Sequence, residues 1–219
     1  MKQCVTVVDF VNNYAILMQL IVWKGAKIKM TTKNIMIVGV GGQGTLLTSR
    51  ILGGITTDAG YDVKLSEVHG MAQRGGSVVT FVRYGELVWE PIVEEGQVDV
   101  LIAFERLEAL RYSHFLKKDG VIIVNDLCIE PITVVTGAFE YPKNIIEGLK
   151  EKYKVYSVDA MTEAKKLGNP KTFNIIVLGI AAQHMDFSEE AWLDVIGKTV
   201  PPKTIDINKK AFLLGYNSR

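Results

Sequence analysis

Asn34-Ile35-Met36-Ile37-Val38-Gly39-Val40-Gly41-Gly42-Gln43-Gly44, followed at once by Thr45-Leu46-Leu47-Thr48-Ser49-Arg50-Ile51-Leu52, decides the fold. An apolar strand empties into a glycine turn, and a helix begins directly after it. Glycines 39, 41 and 44 fit the spacing G-x-G-x-x-G. In that motif the first glycine permits the turn, the second admits a phosphate to the backbone, and the third lets helix and strand pack closely. The helix start aims backbone N–H groups and the positive end of a dipole at one point, which suits an anion. Two readings stand side by side: glycines that any doubly wound domain needs at this turn, or a nucleotide or diphosphate site. Gln43 adds an amide donor and a carbonyl acceptor beside the turn.

Working outward, strands and helices alternate, the signature of a mostly parallel sheet with helices on both faces. Strands are expected at 34–40, 62–67, 77–84, 98–104, 120–125, 132–136 and 153–158. Residues 87–90 are expected to pair with 77–84 as a β-hairpin across Gly85-Glu86. Helices are expected at 44–59 and 106–116, and three more close the chain at 172–184, 189–198 and 203–214, with Pro201-Pro202 separating the last two. The fold class is therefore α/β: a single Rossmann-like, doubly wound, mostly parallel but partly mixed sheet with a β-hairpin insertion and C-terminal helices.

At 219 residues the chain can bury one ample core, and its 48% apolar and 22% charged residues are ordinary for a globular protein. A net charge of +1 offers no field for nucleic acid or an anionic membrane. Tyr14 to Trp23 is an apolar decamer broken by Gln19, shorter than the ~20 residues a spanning helix needs. Met30-Thr31-Thr32-Lys33 reads as a natural start, so residues 1–29 are expected to be an extension outside the fold and 30–219 the domain. Two cysteines, Cys4 and Cys128, are too few for an iron–sulfur cluster, and the three histidines do not pair at metal-ligand spacing. No metal site is expected in this chain, and unpaired thiols agree with a cytoplasmic location.

The second informative segment is Ser66-Glu67-Val68-His69-Gly70-Met71-Ala72-Gln73-Arg74-Gly75-Gly76-Ser77-Val78. A carboxylate, an imidazole, a carboxamide and a guanidinium lie within ten residues, in a loop expected at the carboxyl edge of the sheet, where open α/β sheets bind ligands. Glu67 stands about twenty-three residues after Gly44, where a dinucleotide-binding domain keeps a carboxylate for ribose. Arg74 can make a two-pronged bond to a phosphate or carboxylate. The residues expected to bind a cofactor are Gly39, Gly41, Gly42, Gln43, Gly44, Glu67, Arg74, Gly75 and Gly76, with His69, Gln73 and Arg74 as catalytic candidates. Elsewhere structural roles are expected: Cys128 as a small buried residue, Glu105 and Arg106 as a helix-start pair, Asp126 likewise, and His114 and His184 as helix residues.

The two segments together resemble the gamma-type subunits of 2-oxoacid:ferredoxin oxidoreductases, and within that family the small subunit of the indolepyruvate branch, through Glu67-Val68-His69-Gly70-Met71-Ala72-Gln73-Arg74-Gly75-Gly76. Agreement continues at Ala103-Phe104-Glu105, at Leu107-Glu108-Ala109-Leu110-Arg111-Tyr112, at Asn169-Pro170 and at Asn208-Lys209-Lys210-Ala211-Phe212-Leu213-Leu214-Gly215-Tyr216. The resemblance implies oxidative decarboxylation of an aryl pyruvate to its acyl-coenzyme A, with reduction of ferredoxin. It implies that thiamine diphosphate, Mg2+ and [4Fe–4S] clusters belong to a large (alpha) partner subunit, with coenzyme A as co-substrate and no cofactor held by this chain alone. The alternatives are an NAD(P)-dependent dehydrogenase, with Glu67 on the ribose, and a nucleotide-sensing or assembly module.

Overall fold

The computed structural model describes residues 32–69 and 76–218. The expected extension, residues 70–75 with the candidates Gln73, Arg74 and Gly75, and the side chain of His69 lie outside the described residues.

Six strands form one sheet in the order β2-β3-β1-β4-β5-β6. They are β1 (Lys33–Val40), β2 (Asp62–His69), β3 (Ser77–Gly85), β4 (Val98–Ala103), β5 (Leu116–Asn125) and β6 (Lys154–Val158). β1, β4, β5 and β6 are parallel, and β3 runs antiparallel to both β1 and β2. Eight helices are described: α1 (Thr45–Asp58), α2 (Arg106–Tyr112), α3 (Ile132–Val135), α4 (Ile145–Lys150), α5 (Ala160–Lys166), α6 (Phe173–Ala182), α7 (Glu189–Thr199) and α8 (Ile205–Tyr216).

The continuous apolar strands follow from a sheet covered on both faces. Ile35, Ile37, Val100, Ile102, Val121 and Ile123 point to one face, beneath Ile51, Leu52 and Ile55 of α1, Ile176 of α6, Trp192 of α7 and Phe212 of α8. Their neighbours Met36, Val38, Leu101, Ala103, Ile122 and Val124 point to the other, beneath Leu107 of α2 and Ile145 and Leu149 of α4. The period of two thus sorts one run of sequence into two cores.

The hairpin expectation is corrected. Residues 87–90 form no strand, and β3 instead lies between β1 and β2, with Ile37 opposite Thr80 and Glu67 opposite Thr80 on the other side. Val78, Val79, Phe81 and Val82 are all buried, so β3 needs cover on both faces, which an outlying hairpin would not give. The segment after it is held by side chains: the Val88 amide donates to the Asp62 carboxylate (2.8 Å) and the Arg83 guanidinium donates to the Ile92 carbonyl (2.7 Å). Residues 132–136, expected as a strand, contain the helical turn α3. α4 and α5 were not expected, although Asp159 caps α5 by accepting from the Thr162 amide (3.0 Å). The 106–116 helix ends at Tyr112 and passes through a 3-10 turn, Ser113–Phe115, into β5.

Every residue of α6 is buried, and α8 crosses it at glycine. A Cβ on Gly215 would stand 2.0 Å from the Ile176 carbonyl oxygen, and one on Gly179 would stand 2.3 Å from that of Phe212. The two helix backbones touch with no room for a methyl group. Gly215→Ala is therefore expected to lower the unfolding free energy by about 3 kcal/mol, measured by chemical denaturation; unchanged stability would mean that the helices slide apart at little cost.

Candidate functional site

β1 and β4 are neighbours and parallel, yet their connections leave in opposite directions: β1 leads through α1 to the β2 side, and β4 through α2 to β5. Such a switch point opens a crevice at the carboxyl ends of the strands. The glycine turn stands on one lip of that crevice and Phe104-Glu105 on the other.

Gln43 fills the crevice from within. Its side chain is buried, its Oε1 accepts from the Val40 amide (2.6 Å), and its Nε2 donates to the Phe104 carbonyl (3.2 Å). The Phe104 carbonyl accepts a second bond from Asn125 Nδ2 (3.2 Å), while Asn125 Oδ1 accepts from the Ala160 amide (3.0 Å). Two buried carboxamides thus tie together the ends of β1, β4 and β5 and the start of α5. The carboxamide of Gln43, expected beside a ligand, is engaged with its own backbone.

The glycines answer to protein atoms as well. A Cβ on Gly39 would meet Gln43 Oε1 at 2.7 Å and Phe104 at 3.3 Å. One on Gly44 would meet Asn174 Nδ2 at 2.3 Å, and Gly44 is left-handed at φ +87°. Gly42 differs: it is left-handed at φ +94°, with nothing within 4 Å of a Cβ built there. The Gly41 amide donates to the Gly76 carbonyl (3.0 Å), which brings the two sequence motifs together at one edge. Among the described residues, the amides of Gly42 and Gly44 donate to no protein acceptor. α1 starts on Gly44 without a side-chain cap and without an acidic residue in its first turn. An anionic or carbonyl group placed over Gly42 would meet these donors and the helix dipole.

β2 extends to His69, so Glu67 sits inside the strand rather than at its end, half-buried and opposite Thr80. With β3 interposed, Glu67 stands two strands from β1, about 10 Å at the usual interstrand spacing.

Glu105 and Arg106 start α2 as expected, each with partners of its own. Glu105 is buried and caps α2, accepting from the Glu108 amide (3.0 Å), the Ile129 amide (3.1 Å) and the Tyr141 hydroxyl (2.5 Å). Arg106 pairs instead with Asp126. Burial, then the bond to Glu105, pushes the Tyr141 hydroxyl well above its ordinary pKa. Cys128, expected to be buried, is exposed; it lines a cleft of about 550 Å³ with Arg106, Asp126, Tyr141, Lys143 and Lys150. The reason is its place in the loop after β5, clear of both core clusters. His114 lies half-exposed against Phe115 and 3.6 Å from Glu95, and His184 lies against Tyr156. Burial lowers the pKa of His184. Among the described residues no group of three or more His, Cys, Asp or Glu could hold a metal ion, and no helix is long and apolar enough to cross a membrane.

Sequence reasoning passed over buried Glu105, Glu108 and Asn125, with half-buried Tyr141, as a polar frame. One signal was available: two glutamates three residues apart at the end of a buried strand, the spacing of a helix-start box. Glu108 is also buried, bonded to the Ser77 hydroxyl and paired with Arg111 (2.6 Å), and it fastens the first residue of β3 to α2.

A doubly wound sheet with an antiparallel third strand, and a glycine turn clipped to Gly76 just before that strand, define a class, and comparison with known proteins identifies it. Residues 34–218 match the pyruvate ferredoxin/flavodoxin oxidoreductase family, and the chain belongs to it. It is 45% identical over 198 residues to indolepyruvate oxidoreductase subunit IorB of Thermococcus kodakarensis, covering 86% of this chain and 96% of that one. The subunit of the same name from Archaeoglobus fulgidus is 42% identical over 189 residues, covering 84% and 94%. Among solved structures, the keto/oxoacid ferredoxin oxidoreductase gamma subunit of Geobacter sulfurreducens superposes with a TM-score of 0.63 at 25% identity, covering 84% of this chain and 96% of that one.

Two outcomes test the frame. Gln43→Ala leaves the Val40 amide without its acceptor and is expected to cost about 2 kcal/mol of stability in chemical denaturation; a loss near zero would mean that the crevice rehydrates freely. Burial pushes the Glu108 carboxyl up, against the bond from Ser77 and the charge of Arg111. The folded carboxyl therefore holds its proton more tightly than the unfolded one. Its stabilising contribution is present below the unfolded pKa and is lost as pH rises through the folded value. Relative to Glu108→Gln, the melting temperature of the unsubstituted protein is expected to fall as pH rises from about 4 towards neutrality.

Proposed function

We propose that this chain is the small subunit of an indolepyruvate-type 2-oxoacid:ferredoxin oxidoreductase, and that its glycine turn and the loop before β3 face the active site of a large partner subunit. The observation that carries the reading is the bond from the Gly41 amide to the Gly76 carbonyl, which joins both motifs at the switch-point edge. Family membership and 45% identity to an indolepyruvate oxidoreductase subunit support it. In this assignment thiamine diphosphate with Mg2+ and the [4Fe–4S] clusters are the partner's, and they supply decarboxylation of the oxoacid and one-electron transfer to ferredoxin. Coenzyme A takes up the acyl group.

This chain contributes binding and orientation. Gly42 offers an open approach to backbone amides, and the uncapped start of α1 favours a negative or carbonyl oxygen there. Gln43 keeps the turn fixed by its inward bonds. Arg74, from its place in the sequence shortly before Gly76, is assigned a carboxylate or phosphate of substrate, coenzyme A or thiamine, with His69 and Gln73 as further polar contacts. The dehydrogenase alternative is disfavoured by topology, because β3 separates Glu67 from the turn where a ribose would lie.

The full chain, co-expressed with a large thiamine-enzyme subunit, is expected to reduce a low-potential acceptor when given an aryl pyruvate and coenzyme A. Arg74→Ala in that complex should depress turnover about ten-fold or more while the melting temperature of the subunit holds. Oxoacid oxidation by the isolated chain, or tight NAD binding to it, would sink the reading.

A further inference from the structure

We propose that Ile132, Val135 and Phe139 form a preformed apolar knob that anchors this chain in a pocket of its large partner subunit, an inference that rests on the subunit role given above. α3 buries none of its four residues. Ile132, Val135 and Phe139 are 72%, 64% and 69% exposed, and neither core cluster includes them. Single exposed apolar side chains are ordinary; three on one short protrusion are not.

The protrusion is ordered by its own backbone. The amides of Val134 and Val135 donate to the Pro131 carbonyl (2.9 and 3.0 Å), that of Thr136 to Ile132 (2.9 Å), that of Gly137 to Val134 (2.9 Å), and that of Phe139 to Thr133 (3.1 Å). Gly137 is left-handed at φ +75°, which lets the chain close the turn. A self-closed turn holds its apolar side chains out without help from the core, so little ordering remains to be done on docking.

Position and size choose the occupant. The knob follows the carboxyl end of β5, on the same edge of the parallel strands as the glycine turn, which the subunit role assigns to the partner. Three side chains fall well short of the roughly 800 Å² per partner that a stable interface buries. The knob therefore serves as an anchor inside a larger contact rather than as the whole contact between two copies of this chain. Exposed Glu130 and Glu140 flank it, so the receiving pocket is apolar with a basic rim.

The test uses the full chain and the co-expressed large subunit. Phe139→Asp and Ile132→Asp are each expected to weaken subunit association about ten-fold or more, while Phe139→Leu retains most of the affinity. The melting temperature of the isolated chain should stay unchanged in all three, since none of these side chains belongs to the core. Aspartate variants that associate as tightly as the unsubstituted chain would overturn the knob; if the unsubstituted complex then still turns over an aryl pyruvate, the subunit role survives its loss. Failure of the unsubstituted chain to associate at all would overturn both. A homodimer of the isolated chain that Phe139→Asp dissolves would give the knob to a second copy and overturn the assignment.

Discussion

The carbonyl of Phe104 is the constraint on which the rest of the edge depends. It follows the end of the central strand β4 at the switch point, on a fully buried residue, and it accepts from both Gln43 and Asn125. A buried carbonyl left short of partners costs about 1–3 kcal/mol, and coupled bonds in a low-dielectric site strengthen one another. The two carboxamides also use their other ends, Gln43 on the Val40 amide and Asn125 on the Ala160 amide. Four segments distant in sequence are thereby set at fixed offsets. The glycine turn takes its shape from this, because Gly39 must lack a side chain for Gln43 to fold back beneath it.

Topology then decides what the turn can meet. An antiparallel strand between β1 and β2 brings the start of β3, not the end of β2, directly beside the turn. That is why Gly76 rather than Glu67 becomes the neighbour of Gly41. Glu108, bonded to Ser77 at the start of β3 and to Arg111 on its own helix, holds this arrangement from the opposite side of the crevice. Two buried carboxylates, Glu105 and Glu108, thus fix the second lip, and the Gln43 carboxamide ties the first lip to it.

The parts of this arrangement legible in the sequence were those governed by local period and composition. The strand–turn–helix at 34–58, the buried strands at 98–103 and 120–125, and the closing helices follow from apolar runs and caps that act over a few residues. What escaped was pairing. Residues 77–84 carry apolar side chains on both faces, which marks an interior strand, but no local feature says which strands flank it. Ile132-Thr133-Val134-Val135 reads as a strand by β-branched content and is a helical turn, because Pro131 and Gly137 close it on itself. Cys128, expected inside, is exposed, and the inward bonds of Gln43 were not legible either, since the surroundings of a single side chain follow tertiary neighbours that no short window contains.

The glycine motif itself shows how far spacing can carry an assignment. Of the three glycines that satisfy G-x-G-x-x-G, two are required by contacts within the protein: Gly39 by Gln43 and Phe104, and Gly44 by Asn174 together with its left-handed backbone. The third, Gly41, spends its amide on Gly76. The one position whose freedom serves no protein contact, Gly42, is outside the spacing. A ligand at this edge would therefore be met by the amides of Gly42 and Gly44 at the uncapped start of α1, and not by Gly39 or Gly41. The same letters can arise from packing alone, so the motif gains chemical meaning only where an open approach and unspent donors coincide, as they do beside Gly42.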